Sequence, residues 1–322
     1  MEMRTLGRTG VKVSVLGFGC GAVGGMMVKG SAADQERAVA RALSVGVTFF
    51  DTAPMYGMGL SETNLGRVLK ALKPEIFLAT KFTIRPEDKS DIAGGIARSL
   101  EESLARLGRS YVDLLQLHNR IDTAGTDRPL PAETVIGEVA PVLDKLKRAG
   151  KIRFAGITAL GETALLHRVV ESGAFDTAQI CFNLLNPSAG GPLPPGLPAQ
   201  DFGGLALKAR DAGMGRIGIR VFAGGALSGS EDRHPTGVPS VPPIASGPDY
   251  ATDVKNAHRF DPLIEGGHAA SLIEAALRFA ISSDALTTVL VGTSTLEQLE
   301  TAIKAVEKGK LSAEAMTMAA QA

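Results

Sequence analysis

The 322-residue sequence has no surplus of charge of either sign and no long hydrophobic run. Lysine plus arginine and aspartate plus glutamate are equal at 34 each, so neither a nucleic-acid partner nor a membrane partner is indicated. No stretch reaches the ~20 apolar residues of a membrane-spanning helix, and the first residues lack the apolar core of a secretory signal. We therefore expect a soluble, cytoplasmic protein.

Cysteine is also scarce, since only Cys20 and Cys181 occur, in separate apolar segments. This usage predicts free, buried thiols in a reducing compartment rather than a disulfide. A Gly-x-Gly-x-x-Gly motif between a strand and a helix is missing, because Gly17-Phe-Gly19-Cys-Gly21 has a different spacing. That absence disfavours an open, doubly wound nucleotide-binding sheet.

What the sequence does contain is a long alternation of strand-like and helix-like segments after a hairpin around Gly7-Arg8-Thr9-Gly10. Eight strands alternating with eight helices predict one α/β domain over residues 1–322, a (β/α)8 TIM barrel with an N-terminal β-hairpin, although length alone allows about two domains. We expect strands at 15–19, 47–50, 76–81, 112–118, 154–158, 177–182, 216–221 and 288–291. We expect helices at 34–45, 62–71, 92–107, 132–149, 163–173, 203–212, 265–282 and 296–308. Four glycines follow helices as left-handed caps: Gly46, Gly108, Gly150 and Gly213.

Two long segments, 186–200 and 228–262, interrupt this alternation and are rich in proline and glycine. Both follow late strands, so they are expected to be long loops on the C-terminal rim of the barrel. Two interpretations stay open for them: lids over a site, or irregular segments without a function.

The most informative stretch is 46–57, in which a short apolar strand is followed by Asp51 and a turn then presents Tyr56 before a helix. Lys81 and His118 end the next two apolar strands. Because the ends of neighbouring barrel strands are adjacent, these four ionisable groups should converge on one pocket. Taken singly, Asp51 could start a turn, Tyr56 cover a helix end, Lys81 form a rim ion pair and His118 be a core histidine.

Together the four side chains suit proton transfer to a carbonyl oxygen. The ordinary pKa of tyrosine is about 10, and a neighbouring lysine ammonium should lower it. Asp51 would keep Lys81 charged and fix its orientation, and His118 would donate a hydrogen bond to the carbonyl oxygen. None of these groups can deliver a hydride, so carbonyl reduction requires a cofactor.

Over nearly its whole length the chain resembles an aldo-keto reductase. The resemblance rests on Asp51-Thr-Ala-x-x-Tyr56-Gly with Ser61-Glu62 and Leu65-Gly66, on Lys81 in Ala-Thr-Lys, and on His118 in Gln-Leu-His-Asn. It implies a (β/α)8 barrel whose hairpin closes the bottom, with a nicotinamide cofactor extended across the top. It implies catalytic roles for Asp51, Tyr56, Lys81 and His118, and no metal.

The resemblance also implies a set of cofactor contacts. Gln179 matches the glutamine that binds the carboxamide, Thr158 stands where serine is usual, and Ile219 stands where an aromatic ring is usual. Arg220 would serve the pyrophosphate, and Ser294 replaces a basic residue that often grips the 2′-phosphate. On the frequency of cofactors in the family, NADP (NADPH) is expected over NAD. The implied cofactor-binding residues are Gly21, Asp51, Asn119, Thr158, Gln179, Ile219, Arg220, Phe222, Gly224, Gly292, Ser294 and Gln298.

The expected function is therefore NAD(P)H-dependent reduction of small aldehydes or ketones, or oxidation of the corresponding alcohols, with Tyr56 as the general acid/base. The partner would be a small-molecule carbonyl substrate, and the protein a monomer or small homo-oligomer. The neutral Ser294 keeps open an NAD-dependent sugar (aldose) dehydrogenase. Two further alternatives are a regulatory module that holds a nucleotide, as the related potassium-channel β subunits do, and an unrelated barrel for phosphate esters. The zero net charge and the lack of an N-terminal extension disfavour the regulatory module. The Tyr–Lys pair disfavours the phosphate-ester barrel.

Overall fold

A closed barrel of eight parallel strands forms the centre of the computed structural model, which describes residues 1–124, 129–196 and 198–322. The strands pair in chain order, and the last pairs with the first. The predicted (β/α)8 TIM barrel is confirmed. Its strands are β3 (Leu16–Gly19), β4 (Phe49–Asp51), β5 (Phe77–Phe82), β6 (Val112–Leu117), β7 (Ile152–Thr158), β8 (Thr177–Cys181), β9 (Gly215–Ile219) and β10 (Thr288–Val291), and they follow the hairpin strands β1 (Met3–Thr5) and β2 (Lys12–Ser14).

One helix follows each barrel strand and packs on the outside of the sheet. These helices are α1 (Ala32–Ser44), α2 (Leu60–Leu72), α3 (Ile92–Leu107), α4 (Ala140–Arg148), α5 (Thr163–Glu171), α6 (Leu205–Asp211), α7 (Leu272–Ser282) and α8 (Leu296–Glu307). The other α-helices of the described chain are Met26–Lys29, Ala132–Thr134, Tyr250–Ala257, Pro262–Glu265 and Ala313–Gln321, with a π-helical turn Val135–Val139 and 3-10 turns Gly7–Thr9, Pro86–Ser90, Ala223–Ser228 and His258–Phe260. In the described parts of the chain we find no helix with the length and hydrophobicity to cross a membrane.

Most predicted boundaries agree with the structure, and the differences have local causes. The helix expected over 265–282 begins only at Leu272, because Gly267 has a positive φ and the Ser271 side chain caps the next helix by accepting from Glu274 N. The strand expected to run to 221 ends at Ile219, because Arg220 has φ +57°. The helix Tyr250–Ala257 was missed, although Asp249 caps it through Thr252 N at 2.7 Å.

The barrel interior is apolar at the bottom and polar at the top. Leu6 and Val13 of the hairpin close the lower end and pack on Phe49 and Phe77, which stack with their ring centres 5.3 Å apart. Because alternate strand residues point inward, the same rows continue upward into Asp51 and Lys81. The apolar lower half thus supports a polar layer at the C-terminal rim.

The two cysteines are buried and free, as predicted. Burial raises the pKa of both thiols, and that of Cys181 reaches about 12. Both groups therefore remain protonated at neutral pH, which makes them poor nucleophiles.

Candidate active site

Lys81 is the centre of the polar layer, with its side chain only 1% exposed. Its ammonium forms an ion pair with Asp51 Oδ1, donates to the carbonyl oxygen of Thr52 at 2.9 Å, and donates to Tyr56 Oη at 3.1 Å. Asp51, Tyr56 and Lys81 are therefore one hydrogen-bonded group, as the sequence predicted.

The turn after β4 places the phenol above this ion pair. Tyr56 N donates to the carbonyl oxygen of Ala53 at 3.1 Å, and Ser61 N donates to the carbonyl oxygen of Tyr56 at 3.2 Å. Gly57 adopts φ +63°, and a Cβ there would collide with the side chain of Val28. The glycine after the tyrosine is thus required by both the backbone conformation and the space available.

The second oxygen of Asp51 is held by two amides, one from β6 on the near side of the barrel and one from β8 on the opposite side. Oδ2 accepts from Gln116 Nε2 at 3.0 Å and from Gln179 Nε2 at 2.7 Å. Gln179 was predicted as a cofactor contact, but the contribution of Gln116 was not foreseen. With Lys81 on Oδ1, the buried carboxylate has donors on both oxygens.

His118 stands edge-on to the phenol, with ring centres 5.9 Å apart and an interplanar angle of 87°. Burial, and then the positive charge of Lys81, lowers the pKa of His118 to about 3. The imidazole is therefore neutral at physiological pH and has a single N–H to donate. Its Nδ1 is buried and has no hydrogen-bond partner within the described structure.

The pKa of Tyr56 corrects one expectation. Burial is the largest influence and raises it, Lys81 lowers it, and Asp51 raises it again, so the pKa lies above its ordinary value rather than below. Burial alone would lower the pKa of Lys81, but Asp51 and Tyr56 outweigh it and raise that pKa. At neutral pH the group is therefore a protonated phenol beside an ammonium ion.

A cavity of about 620 Å³ opens above these groups. It is lined by Asp51, Tyr56 and His118, while Lys81 lies beneath its floor. Of the predicted cofactor contacts, all but Asn119 line the cavity: Gly21, Asp51, Thr158, Gln179, Ile219, Arg220, Phe222, Gly224, Gly292, Ser294 and Gln298. The side chain of Asn119 instead pairs with the backbone of Ile84, accepting from its N at 2.8 Å and donating to its carbonyl oxygen at 2.9 Å.

Comparison with known proteins identifies the family of the chain. Residues 15–322 match the model of the aldo/keto reductase family. The chain belongs to this family. It is 32% identical over 312 residues to L-galactose dehydrogenase of Arabidopsis thaliana, covering 95% of this chain and 88% of the relative. It is 25% identical over 331 residues to pyridoxal 4-dehydrogenase of Microbacterium luteolum, covering 92% and 91%. The solved aldo-keto reductase AKR11C1 from Bacillus halodurans, in its holo form, superposes with a TM-score of 0.73 at 25% identity, covering 99% and 95%.

In this aldo/keto reductase the Ser61-Glu62 part of the motif is structural. Glu62 is fully buried at the start of α2, accepts from Thr80 Oγ1 at 2.6 Å, and forms an ion pair with Arg106 Nε at 2.7 Å. Ser61 Oγ donates to the carbonyl oxygen of Cys20 at 2.9 Å. These bonds tie α2 to β5, α3 and the end of β3, so they fix the turn that carries Tyr56.

Aldo/keto reductases use nicotinamide cofactors, and several features of the cavity fit such a group. Thr158 Oγ1 is a buried hydroxyl at the cavity wall with no hydrogen-bond partner among the described residues, so it is available to a polar ligand. Gly21 lines the cavity and carries no side chain that would occupy it. Arg220 forms no ion pair with any described residue, and burial together with the neighbouring Arg233 lowers its pKa. A bound anion would neutralise this charge.

Arg233 was not predicted as a site residue from the sequence. It lies in the 228–262 segment and lines the cavity. Its guanidinium donates to the carbonyl oxygens of Val238 and Gly224, both at 2.8 Å, and stacks 5.3 Å from the centre of the Tyr250 ring. The charged run 231–234 within a Gly- and Pro-rich segment could have indicated it. The 228–262 segment thus covers the cavity, whereas none of the described residues of 186–200 lines it; residue 197 is outside the described part.

Proposed function

We propose that the protein interconverts a small aldehyde or ketone and its alcohol, with Tyr56 as the general acid/base. The observation that carries this proposal is the bond from Lys81 Nζ to Tyr56 Oη, formed while Lys81 also pairs with Asp51. A buried ammonium stabilises the phenolate that remains after the phenol has given up its proton.

In reduction, the Tyr56 hydroxyl donates its proton to the oxygen of the carbonyl as negative charge develops there. The neutral His118 donates its N–H to the same oxygen and fixes the orientation of the carbonyl. Asp51 keeps Lys81 in place, so the ammonium faces Tyr56 Oη throughout the reaction. In oxidation the phenolate accepts the proton of the alcohol.

A nicotinamide dinucleotide, when bound, supplies or accepts the hydride. Thr158 and Gln179 would hold its carboxamide, because a hydroxyl without a partner in the described structure and a primary amide lie together at the cavity wall. Arg220 and Arg233 would hold its phosphates, since neither guanidinium forms an ion pair with a described residue.

Titrating the protein with NADPH and NADH while nicotinamide fluorescence is followed tests whether the cavity takes this group. We expect saturable binding, followed by loss of the signal when a small aldehyde is added. Binding without turnover of any aldehyde, ketone or alcohol would favour a nucleotide-holding regulatory module. The absence of binding would contradict the proposal.

A sugar dehydrogenase that uses NAD is the second candidate. The similarity to L-galactose dehydrogenase supports it, as does the environment of Ser294, where a basic residue would indicate NADP. Ser294 Oγ donates to the carbonyl oxygen of Gly24 at 2.5 Å, and Ser294 N donates to Gln298 Oε1 at 2.7 Å. NADP remains the proposed cofactor, because the frequency of cofactors in the family favours it. The same titration separates the two, because the dehydrogenase requires NADH to bind at least as tightly as NADPH.

A further inference from the structure

Gln116 is a buried amide whose position has no obvious reason in packing. It lies on β6 beside Lys81 of β5 and points into the barrel, where it is 0% exposed. Its Oε1 is buried and has no hydrogen-bond partner within the described residues. A buried acceptor without a partner destabilises the folded state. An apolar side chain of similar shape would avoid this loss.

The other end of the same amide explains why it is there. Gln116 Nε2 donates to Asp51 Oδ2 at 3.0 Å, across the intervening strand β5. The opposite amide orientation would place Oε1 against a carboxylate oxygen, which is repulsive, so the bond to Asp51 fixes the orientation of the amide.

Gln116 and Gln179 share this acceptor but differ in exposure to the ligand. Gln179 lines the cavity and is placed to contact a bound carboxamide, whereas Gln116 is not part of the cavity wall. Nε2 of Gln179 keeps a second N–H for a ligand, but a ligand that shifts this amide weakens its bond to Asp51. Gln116 then remains as the donor that holds Oδ2.

We propose that Gln116 is a positioning residue, which holds Asp51 Oδ2 so that Oδ1 keeps the Lys81 ammonium aimed at Tyr56 Oη. This inference rests on the function proposed above. Without Gln116 the carboxylate can rotate, and Lys81 follows it away from the phenol.

Gln116→Met tests this, because methionine keeps the length of the side chain and removes the amide. We expect single-turnover hydride transfer to fall about 10–100-fold, as for the loss of one hydrogen bond to a charged group. Nicotinamide affinity should be unchanged, and the pH midpoint of alcohol oxidation should move upward because Lys81 supports the phenolate less well. The melting temperature should change little, because removal of the acceptor that has no described partner offsets the loss of one of the two amide donors to Asp51.

Thr177→Val is the matched control. Thr177 is equally buried in the barrel interior and its Oγ1 also lacks a described partner, but it does not bond Asp51. We expect wild-type rate and pH midpoint in this variant. Gln179→Met should lower both the rate and the nicotinamide affinity.

A Gln116→Met protein with the rate and pH midpoint of the wild type would overturn the inference. If the methionine variant does not fold, the same measurements are made on Gln116→Leu. If neither variant folds, Gln116 is a structural residue and the inference is overturned as well. The single-turnover rate of Tyr56→Phe is measured in the same experiment. If Tyr56→Phe is slow and Gln116→Met is fast, the inference fails and the proposed function stands; if Tyr56→Phe is fast, the proposed function itself fails.

Discussion

Lys81 Nζ lies 3.1 Å from Tyr56 Oη and over the same ring, 4.8 Å from its centre, so the ammonium contacts both the hydroxyl and the π system. Burial nevertheless raises the pKa of Tyr56 above its ordinary value. The phenol is therefore ready to donate a proton at neutral pH, but it is seldom ionised to accept one.

The first prediction concerns pH. Carbonyl reduction uses the protonated phenol, so its single-turnover rate should be nearly constant across neutral pH. Alcohol oxidation uses the phenolate and should rise by up to about tenfold per pH unit, continuing well above neutrality because the pKa is raised. Stopped-flow measurement of both directions checks this. An oxidation rate that levels off at or below pH 7 contradicts the pKa direction.

A second prediction links His118 to stability. Its pKa is about 3 in the folded protein and about 6.5 when unfolded, so the unfolded chain binds the extra proton between these values. Stability should therefore fall as pH drops from about 6.5 to about 3, with a contribution from this residue of at most about 1.4 kcal/mol per pH unit. In His118→Gln the free energy of unfolding, measured with urea, should decline less steeply over this range. Equal slopes in the two proteins would show that His118 is not held neutral by the fold.

A third prediction concerns Glu62, which is part of the motif but lies outside the cavity. Glu62→Gln removes the charge that pairs with the partly buried Arg106. We expect a loss on the order of 2–4 kcal/mol in unfolding free energy, because Arg106 loses a buried partner. Glu102 contacts the same Arg106 at 3.7 Å from an exposed position, so Glu102→Gln should cost less than about 1 kcal/mol. Similar losses in both variants would show that burial of Glu62 does not matter.

The fourth prediction concerns the choice of cofactor. Ser294→Arg places a cation beside the amino end of α8, so it should strengthen NADPH binding by about 1.5–3 kcal/mol while NADH binding changes little. Ser294→Gln adds length without charge and should leave the ratio of the two affinities unchanged. Fluorescence titration of the three proteins gives the comparison. If the arginine variant shows no gain for NADPH, residue 294 does not face the 2′-phosphate.

The barrel was predictable because its strands are short apolar runs and its helices end at glycines such as Gly46 and Gly108, both of which have positive φ. The convergence of Tyr56, Lys81 and His118 was predictable because each follows or ends a strand, and neighbouring strands end at one rim. Both features follow from local sequence patterns, because the regular geometry of the barrel fixes where each strand end lies.

Three features could not be derived from the sequence, because each depends on how deeply a group is buried or on distant contacts. The sign of the Tyr56 pKa shift depends on whether burial outweighs Lys81, and no sequence pattern gives that balance. In the sequence, Gln116 is one of two polar residues in a mainly apolar strand, and nothing there indicates its bond to Asp51, 65 positions away. Arg233 is in a segment without a repeating pattern, so its place at the cavity depends on how that segment folds.

The most direct test of the central claim is single-turnover reduction of a model aldehyde by Tyr56→Phe. Phenylalanine keeps the ring and removes the proton donor, so folding and nicotinamide binding should be nearly unchanged while hydride transfer falls by about 10²–10⁴-fold. Lys81→Met should reduce it in the same direction, and the double variant should be little slower than Tyr56→Phe, because both changes act on one proton. Aldehyde reduction by Tyr56→Phe at the rate of the parent protein would contradict the assignment of Tyr56 as the general acid.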